Sequence, residues 1–217
     1  MGAITRSIAN NITTSGVFTS SAIDNTSVTG ITTLANAPAD GITFISSQTA
    51  SASSSISFTS GITSTYKAYK FVFVNIHPAT DDVQLTFNLS TDSGSNYNVT
   101  KTTTAFISAH DEADTSTTLA YRTGQDLAQS TAFQTLNNSI GNGADESTSG
   151  TLTLFNPSST TYVKHFIANM NEYFPTNQSI NTYTAGYGNT TSAVNAVRFA
   201  MSSGNIDDGK IYLYGIK

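Results

Sequence analysis

Along the second half of the first hundred residues, apolar and polar side chains alternate with the period of a strand. Val83, Leu85, Phe87 and Leu89 alternate with Gln84, Thr86 and Asn88, which predicts a half-buried strand with one wet face. The run Tyr69–Ile76 is apolar on both faces from Phe71 to Val74 and stops at His77-Pro78. That pattern predicts a central strand covered on both sides, by a second sheet and by a loop, an arm or a neighbouring subunit. Further strands are expected near Gly41–Ser46, Ser53–Thr59, Tyr97–Ser108, Thr151–Asn156, Tyr162–Asn169, Ile180–Tyr187, Val194–Ser202 and Lys210–Ile216. Turn residues punctuate these runs at Asp92–Ser95, Asn142-Gly143, Asn156-Pro157 and Asp208-Gly209, where Gly and Asn accept positive φ and Pro fixes it. Asn205–Lys210 links two strand-like runs and reads as a hairpin. Helical periodicity is nowhere sustained. About ten strands in about 175 residues predict an all-β, two-sheet sandwich, a jelly roll, over residues 41–217.

Residues 1–40 follow a different pattern. Single apolar residues (Ile4, Ile8, Ile12, Val17, Phe18, Ile23, Val28, Ile31, Leu34) recur at uneven steps among Ser, Thr, Asn, Ala and Gly. Ordering a backbone costs roughly 1–2 kcal/mol per residue, which so sparse a set of apolar side chains does not offset. An extended N-terminal arm is expected, held by contacts outside its own core. The arm is then an anchoring and oligomerisation element, with Ile4, Ile8, Ile12, Val17, Phe18, Ile23, Val28 and Ile31 as its interface residues. An apolar step of about five residues over 12–34 would let three copies wind around one axis.

Composition narrows the function. Hydrophobic residues make up 38% of the 217 and charged residues only 11%, with Ser, Thr and Asn in their place. Low charge separates this chain from disordered ones, which pair low hydrophobicity with high net charge. A net charge of −5 and scattered Lys and Arg argue against nucleic-acid binding. With no cysteine, disulfides and thiolate chemistry are excluded. No window of about 18 apolar residues exists to insert into a membrane as a helix. The N-terminus carries one Arg and lacks the apolar core of a secretory signal, so it does not read as one.

No catalytic set assembles. The densest acidic cluster, Asp111, Glu112 and Asp114 beside His110, has neither a phosphate loop to partner it nor the spacing of an EF-hand loop, and reads as a solvated loop. The pairs Asp81-Asp82 and Asp207-Asp208 read as surface turns, although paired carboxylates are also the machinery of glycoside hydrolysis. His77, His110 and His165 are far apart in sequence, and His165 reads as a hydrogen-bonded structural residue. No nucleophile elbow occurs. The expectation is a protein without enzymatic activity, metal or cofactor. Tyr173, Tyr183 and Tyr187 stand in a segment rich in Asn, Gln and Thr, the surroundings of rings that stack on sugars or line an interface, and they are the candidate glycan-binding residues.

Four strings carry a resemblance: FTSGITSTYKAYKFVFVNIHPATDD (Phe58–Asp82), HDEAD (His110–Asp114), FNPSSTTYVKHF (Phe155–Phe166) and MSSGNIDDGKIYLYGIK (Met201–Lys217). They resemble virion structural proteins of tailed bacteriophages from marine and fresh waters, including those of cyanobacteria. The opening MGAITRSIANN is also similar to the N-termini of that group. The resemblance implies a fibre, an adhesin or a capsid decoration protein located in the virion. It implies a homotrimer, partners among capsid, portal or tail proteins, and contact with host surface glycans. It supplies no catalytic residue.

Overall fold

The computed structural model describes residues 41–217. The expectations for Ile4 to Ile31 lie outside the described residues. Twelve strands, and no helix, form among those described: β1 (Ile42–Thr49), β2 (Ile56–Phe58), β3 (Ala68–Pro78), β4 (Leu85–Ser90), β5 (Lys101–Asp111), β6 (Thr117–Tyr121), β7 (Gln134–Thr135), β8 (Thr148–Phe155), β9 (Lys164–Phe174), β10 (Gln178–Gly188), β11 (Ala196–Met201) and β12 (Ile206–Ile216). They build an eight-stranded sheet in the order β1-β12-β3-β8-β9-β10-β5-β6 and a four-stranded sheet in the order β2-β11-β4-β7. Every named pairing is antiparallel.

Without the hairpins β5–β6 and β9–β10, the two sheets reduce to β1-β12-β3-β8 and β2-β11-β4-β7. Those are the two four-stranded sheets of a jelly roll. The β9–β10 hairpin attaches to β8 and the β5–β6 hairpin to β10, which doubles the width of one sheet only.

The core lies between the sheets. From the large sheet it takes Tyr69, Phe71 and Phe73 of β3, Leu152 and Leu154 of β8, Phe166 and Met170 of β9, and Ile211 and Leu213 of β12, all buried. From the small sheet come Ile56, Phe58, Leu85, Phe87, Leu89, Val197 and Phe199. Phe199 is the aromatic centre, with ring centroids at 5.0 Å from Phe73, 5.2 Å from Phe71, 6.3 Å from Phe58 and 6.4 Å from Phe87. The three nearest are edge-on, the arrangement that the ring quadrupoles favour.

Two sequence expectations need correction. The run predicted to have a wet face is buried on both faces, since Thr86, Asn88 and Ser90 are as inaccessible as Leu85, Phe87 and Leu89. The chain before β5 folds over the outside of the small sheet. Asn88 Nδ2 donates to the Tyr97 and Thr131 carbonyls, and the Tyr97 ring lies under the Arg198 guanidinium at 4.0 Å. Asn205–Lys210 is not a hairpin, because β11 and β12 belong to different sheets and the chain crosses the sandwich between them. Gly209 instead serves a bulge against β3: its φ is +113°, and a Cβ there would stand 2.5 Å from the Asn75 carbonyl oxygen. The second sheet covers one face of β3; on the other, Lys70 and Val72 are half-buried and Val74 is 40% exposed, and the arm or neighbouring subunit expected there lies outside the described residues.

Candidate functional site

The uncovered side of β3 belongs to a larger surface. Strand register places Tyr212 and Tyr214 of β12, Lys70, Val72 and Val74 of β3, Thr151 and Thr153 of β8, and Ile167 and Asn169 of β9 on one outward face. The same face continues through Ala185 and Tyr183 of β10 to Thr104 and Phe106 of β5, then to Leu119 and Tyr121 of β6. Ten large apolar side chains are exposed among the described residues, and nine project from this face; Tyr162 is the exception. From Lys210 of β12 across to β5, the outward strand positions carry Tyr, Phe, Ile, Val, Ala, Thr, Ser and Asn with Lys70, Lys210, His110 and His165, and no carboxylate. Asp207 and Asp208 stand exposed at the bulged start of β12.

All three candidate tyrosines are on this face, held there by the β9–β10 hairpin. Tyr183 lies opposite Asn169 and Phe106, and its ring stacks on Phe106 at 4.9 Å. Its hydroxyl accepts from Asn181 Nδ2 at 2.9 Å. Tyr187 stands edge-on to His165 at 6.1 Å. Tyr173 sits at the far end of β9, its hydroxyl donating to Asn177 Oδ1 at 3.2 Å. Because Ala185 is small, a groove of about 460 Å³ opens between Tyr187, His165, Ile167, Phe155 and Thr104. His165 is therefore a solvent-facing wall of that groove and not the hydrogen-bonded structural residue expected from sequence.

Behind the face, three ionisable side chains point inward. Glu172, 1% exposed, accepts at Oε1 from the Asn138 amide at 2.7 Å and from the Thr182 hydroxyl at 2.9 Å, while Oε2 has no donor. Burial pushes its carboxyl up to about 8, against the two hydrogen bonds that favour the anion. Lys101 and Lys164 face one another across Gly188, which leaves room between them. Lys101 Nζ donates to Asn88 Oδ1 at 2.5 Å and to the Val99 carbonyl at 2.9 Å, and burial lowers it to about 8. Lys164 Nζ donates to the Tyr162 and Thr190 carbonyls, and burial lowers it too. The sequence did hold a signal for these groups. Each stands in phase with buried neighbours, Phe166, Ala168 and Met170 in β9, and Ala105 and Ile107 in β5.

A second concavity, of about 550 Å³, opens at one edge of the sandwich between the end of β6, the β4–β7 pair and the β9–β10 turn. Tyr121, Arg122, Gln125, Asn138 and Phe174 line it, with Asp82 and Gln84 opposite. No motif marks these residues, which four separate segments contribute.

The acidic cluster closes the β5–β6 hairpin. Asp111 is the last residue of β5 and accepts from the Thr115 amide, the Thr115 hydroxyl and the Ser116 amide, which hold its carboxyl below the usual range. His110 Nε2 lies 3.1 Å from Asp114 Oδ1. His77 Nδ1 donates to the Glu146 carbonyl at 2.7 Å. Among the described residues, no three His, Cys, Asp or Glu side chains gather to hold a metal ion, and no Ser or Thr hydroxyl is hydrogen-bonded to a histidine.

Charge is sorted along the sandwich. Of the twelve Asp and Glu in residues 41–217, all but Asp92 and Asp126 lie at the end that carries the turns after β3, β5, β9 and β11. Lys67, Lys70 and Lys217 lie at the opposite end, where Ile42 pairs with Ile216 and the described chain begins. No protein-family model matches the chain, and no curated protein sequence or solved structure matches it significantly.

Proposed function

We propose that this protein is a non-enzymatic structural component of a phage particle, a fibre or appendage subunit. Residues 1–40 anchor it, and the outward face of its eight-stranded sheet is covered by sister chains in a homotrimer. One observation carries the reading: nine of the ten exposed large apolar side chains are gathered on that face. Eight strands at about 4.8 Å and lengths of up to 11 residues at about 3.3 Å make a face on the order of 1,000 Å². A standard protein interface takes about 800 Å² from each partner, whereas exposed apolar patches on monomers seldom exceed a few hundred. Enrichment in Tyr and Phe with depletion of carboxylates is also the composition of an interface centre.

The sorting of charge supports the orientation, with the entry end towards the particle and the acidic loops away from it. The resemblance of Phe58–Asp82 and Met201–Lys217 to virion proteins supports the setting. A capsid decoration role would use the same face and differ in where the trimer sits.

Sedimentation of the full-length protein tests the reading. A trimer is expected, reduced to monomer by Phe106→Lys with Ile167→Lys, since each change places an ammonium at the interface. Wild-type protein that stays monomeric at high concentration, with the face free, refutes the self-docking role. Immunolabelling of intact particles then distinguishes appendage from head surface.

A further inference from the structure

We infer that the cavity bounded by Tyr121, Arg122 and Phe174 binds a neutral saccharide. The site lies at the edge of the sandwich beyond β6 and shares only Tyr121, at the margin of the outward face, with the proposed trimer surface. Two aromatic rings, Tyr121 and Phe174, stand on its walls and offer apolar surface to the C–H faces of a pyranose. Arg122 makes no side-chain hydrogen bond or ion pair among the described residues, although it is half-buried. Its guanidinium is a planar fork of donors suited to adjacent ring hydroxyls. Across the cavity, Asp82 supplies an acceptor, with one carboxylate oxygen engaged by the Ser139 hydroxyl and the other not.

The lining is held in place. Gln84 Nε2 donates to the Asn138 carbonyl at 3.2 Å, and Gln125 Nε2 donates to the same carbonyl and to Asn138 Oδ1, each at 3.2 Å. The Asn138 amide is in turn fixed by Glu172. Gln125 Oε1 is itself buried behind the wall and has no donor. The volume is within the roughly 300–1,000 Å³ of small-molecule sites.

Charge selects a neutral ligand. Arg122 is the single cation of the lining and is matched by Asp82, and the nearby end of the sandwich carries most of the carboxylates. An anion gains one attraction and meets many repulsions, whereas a polyol uses donor and acceptor alike.

Saturation-transfer NMR and calorimetric titration of the full-length protein with glucose, galactose, mannose, N-acetylglucosamine, glucuronate and inorganic phosphate test the site. At least one neutral sugar is expected to bind, with affinity reduced tenfold or more by Arg122→Met and by Phe174→Ala. Thr123→Trp, a change at an exposed loop position on the rim, is expected to abolish binding without touching the core. Tyr187→Ala, on the outward face, is expected to leave it unchanged. No binding by any neutral sugar, binding of glucuronate or phosphate alone, or loss of binding in Tyr187→Ala with retention in Thr123→Trp overturns the inference.

Discussion

Phe106 and Tyr183 lie opposite one another on β5 and β10, their ring planes 11° from parallel and their centroids 4.9 Å apart. Both rings remain open to solvent, at 42% and 37% exposure. The pair thus stabilises the inserted hairpins against each other while leaving a flat aromatic surface outward. A double-mutant cycle with Phe106→Ala and Tyr183→Ala is expected to give a coupling of about 0.5–1 kcal/mol in urea unfolding. Strict additivity of the two changes would show that the stack is incidental.

Phe199 touches aromatic rings from both sheets, so its removal opens the middle of the sandwich. Phe199→Ala is expected to cost about 3–5 kcal/mol, the range for truncating a buried aromatic side chain. Chemical denaturation measures it. A loss below 1 kcal/mol would mean that the layers close over the gap.

Glu172 makes stability depend on pH in a defined direction. Its folded-state value of about 8 lies above the ordinary 4.5, so its contribution is fully present below pH 4.5 and is lost as pH rises through 8. Glu172→Gln keeps an acceptor for Asn138 and Thr182 and has no proton to lose. Relative to wild type, the variant is expected to gain about 3–5 kcal/mol between pH 4 and pH 9. Unfolding curves that stay parallel across that range would rule out a buried carboxyl.

Lys101 acts with the opposite sign. Its folded-state value of about 8 lies below 10.5, so its contribution is present above pH 10.5 and is lost as pH falls through 8. Lys101→Met keeps the apolar stem, and Asn88 Oδ1 still accepts from the Leu89 amide at 2.8 Å. The variant is expected to escape a loss of about 2–3 kcal/mol that wild type suffers between pH 10.5 and pH 7. A variant less stable than wild type at pH 7, with the same pH slope, would assign the ammonium a net stabilising role.

Much of the fold was legible because β structure writes a local code. Alternation at Val83–Leu89, the short apolar run of Tyr69–Ile76, and turn residues at Asp92–Ser95 and Asn142-Gly143 mark strands and their ends without reference to anything distant. The short β7 and the strand β6, which is exposed along most of its length, escaped notice, because neither has a buried face to impose a period. The tyrosines of the candidate face were visible as residues, yet nothing in the sequence showed that Phe106, Leu119 and Ile167 join them. Of the cavity residues, Phe174 was visible only as a neighbour of Tyr173 in the aromatic segment, and Arg122 gave no signal at all.

The sequence by itself determined an all-β chain in two layers, since the side-chain period of a strand and the φ preferences of Gly, Asn and Pro are properties of neighbouring residues. Only the tertiary structure decided which faces are covered. Thr86 and Asn88 read as wet and are buried, with Asn88 bonded to the carbonyls of Tyr97 and Thr131, while Val74, in a run that read as apolar on both faces, stands exposed. Register across β5, β10, β9 and β8 collects scattered aromatic side chains into one surface, and the meeting of four segments makes the cavity. Those arrangements depend on pairing between strands far apart in the chain, which no local pattern encodes.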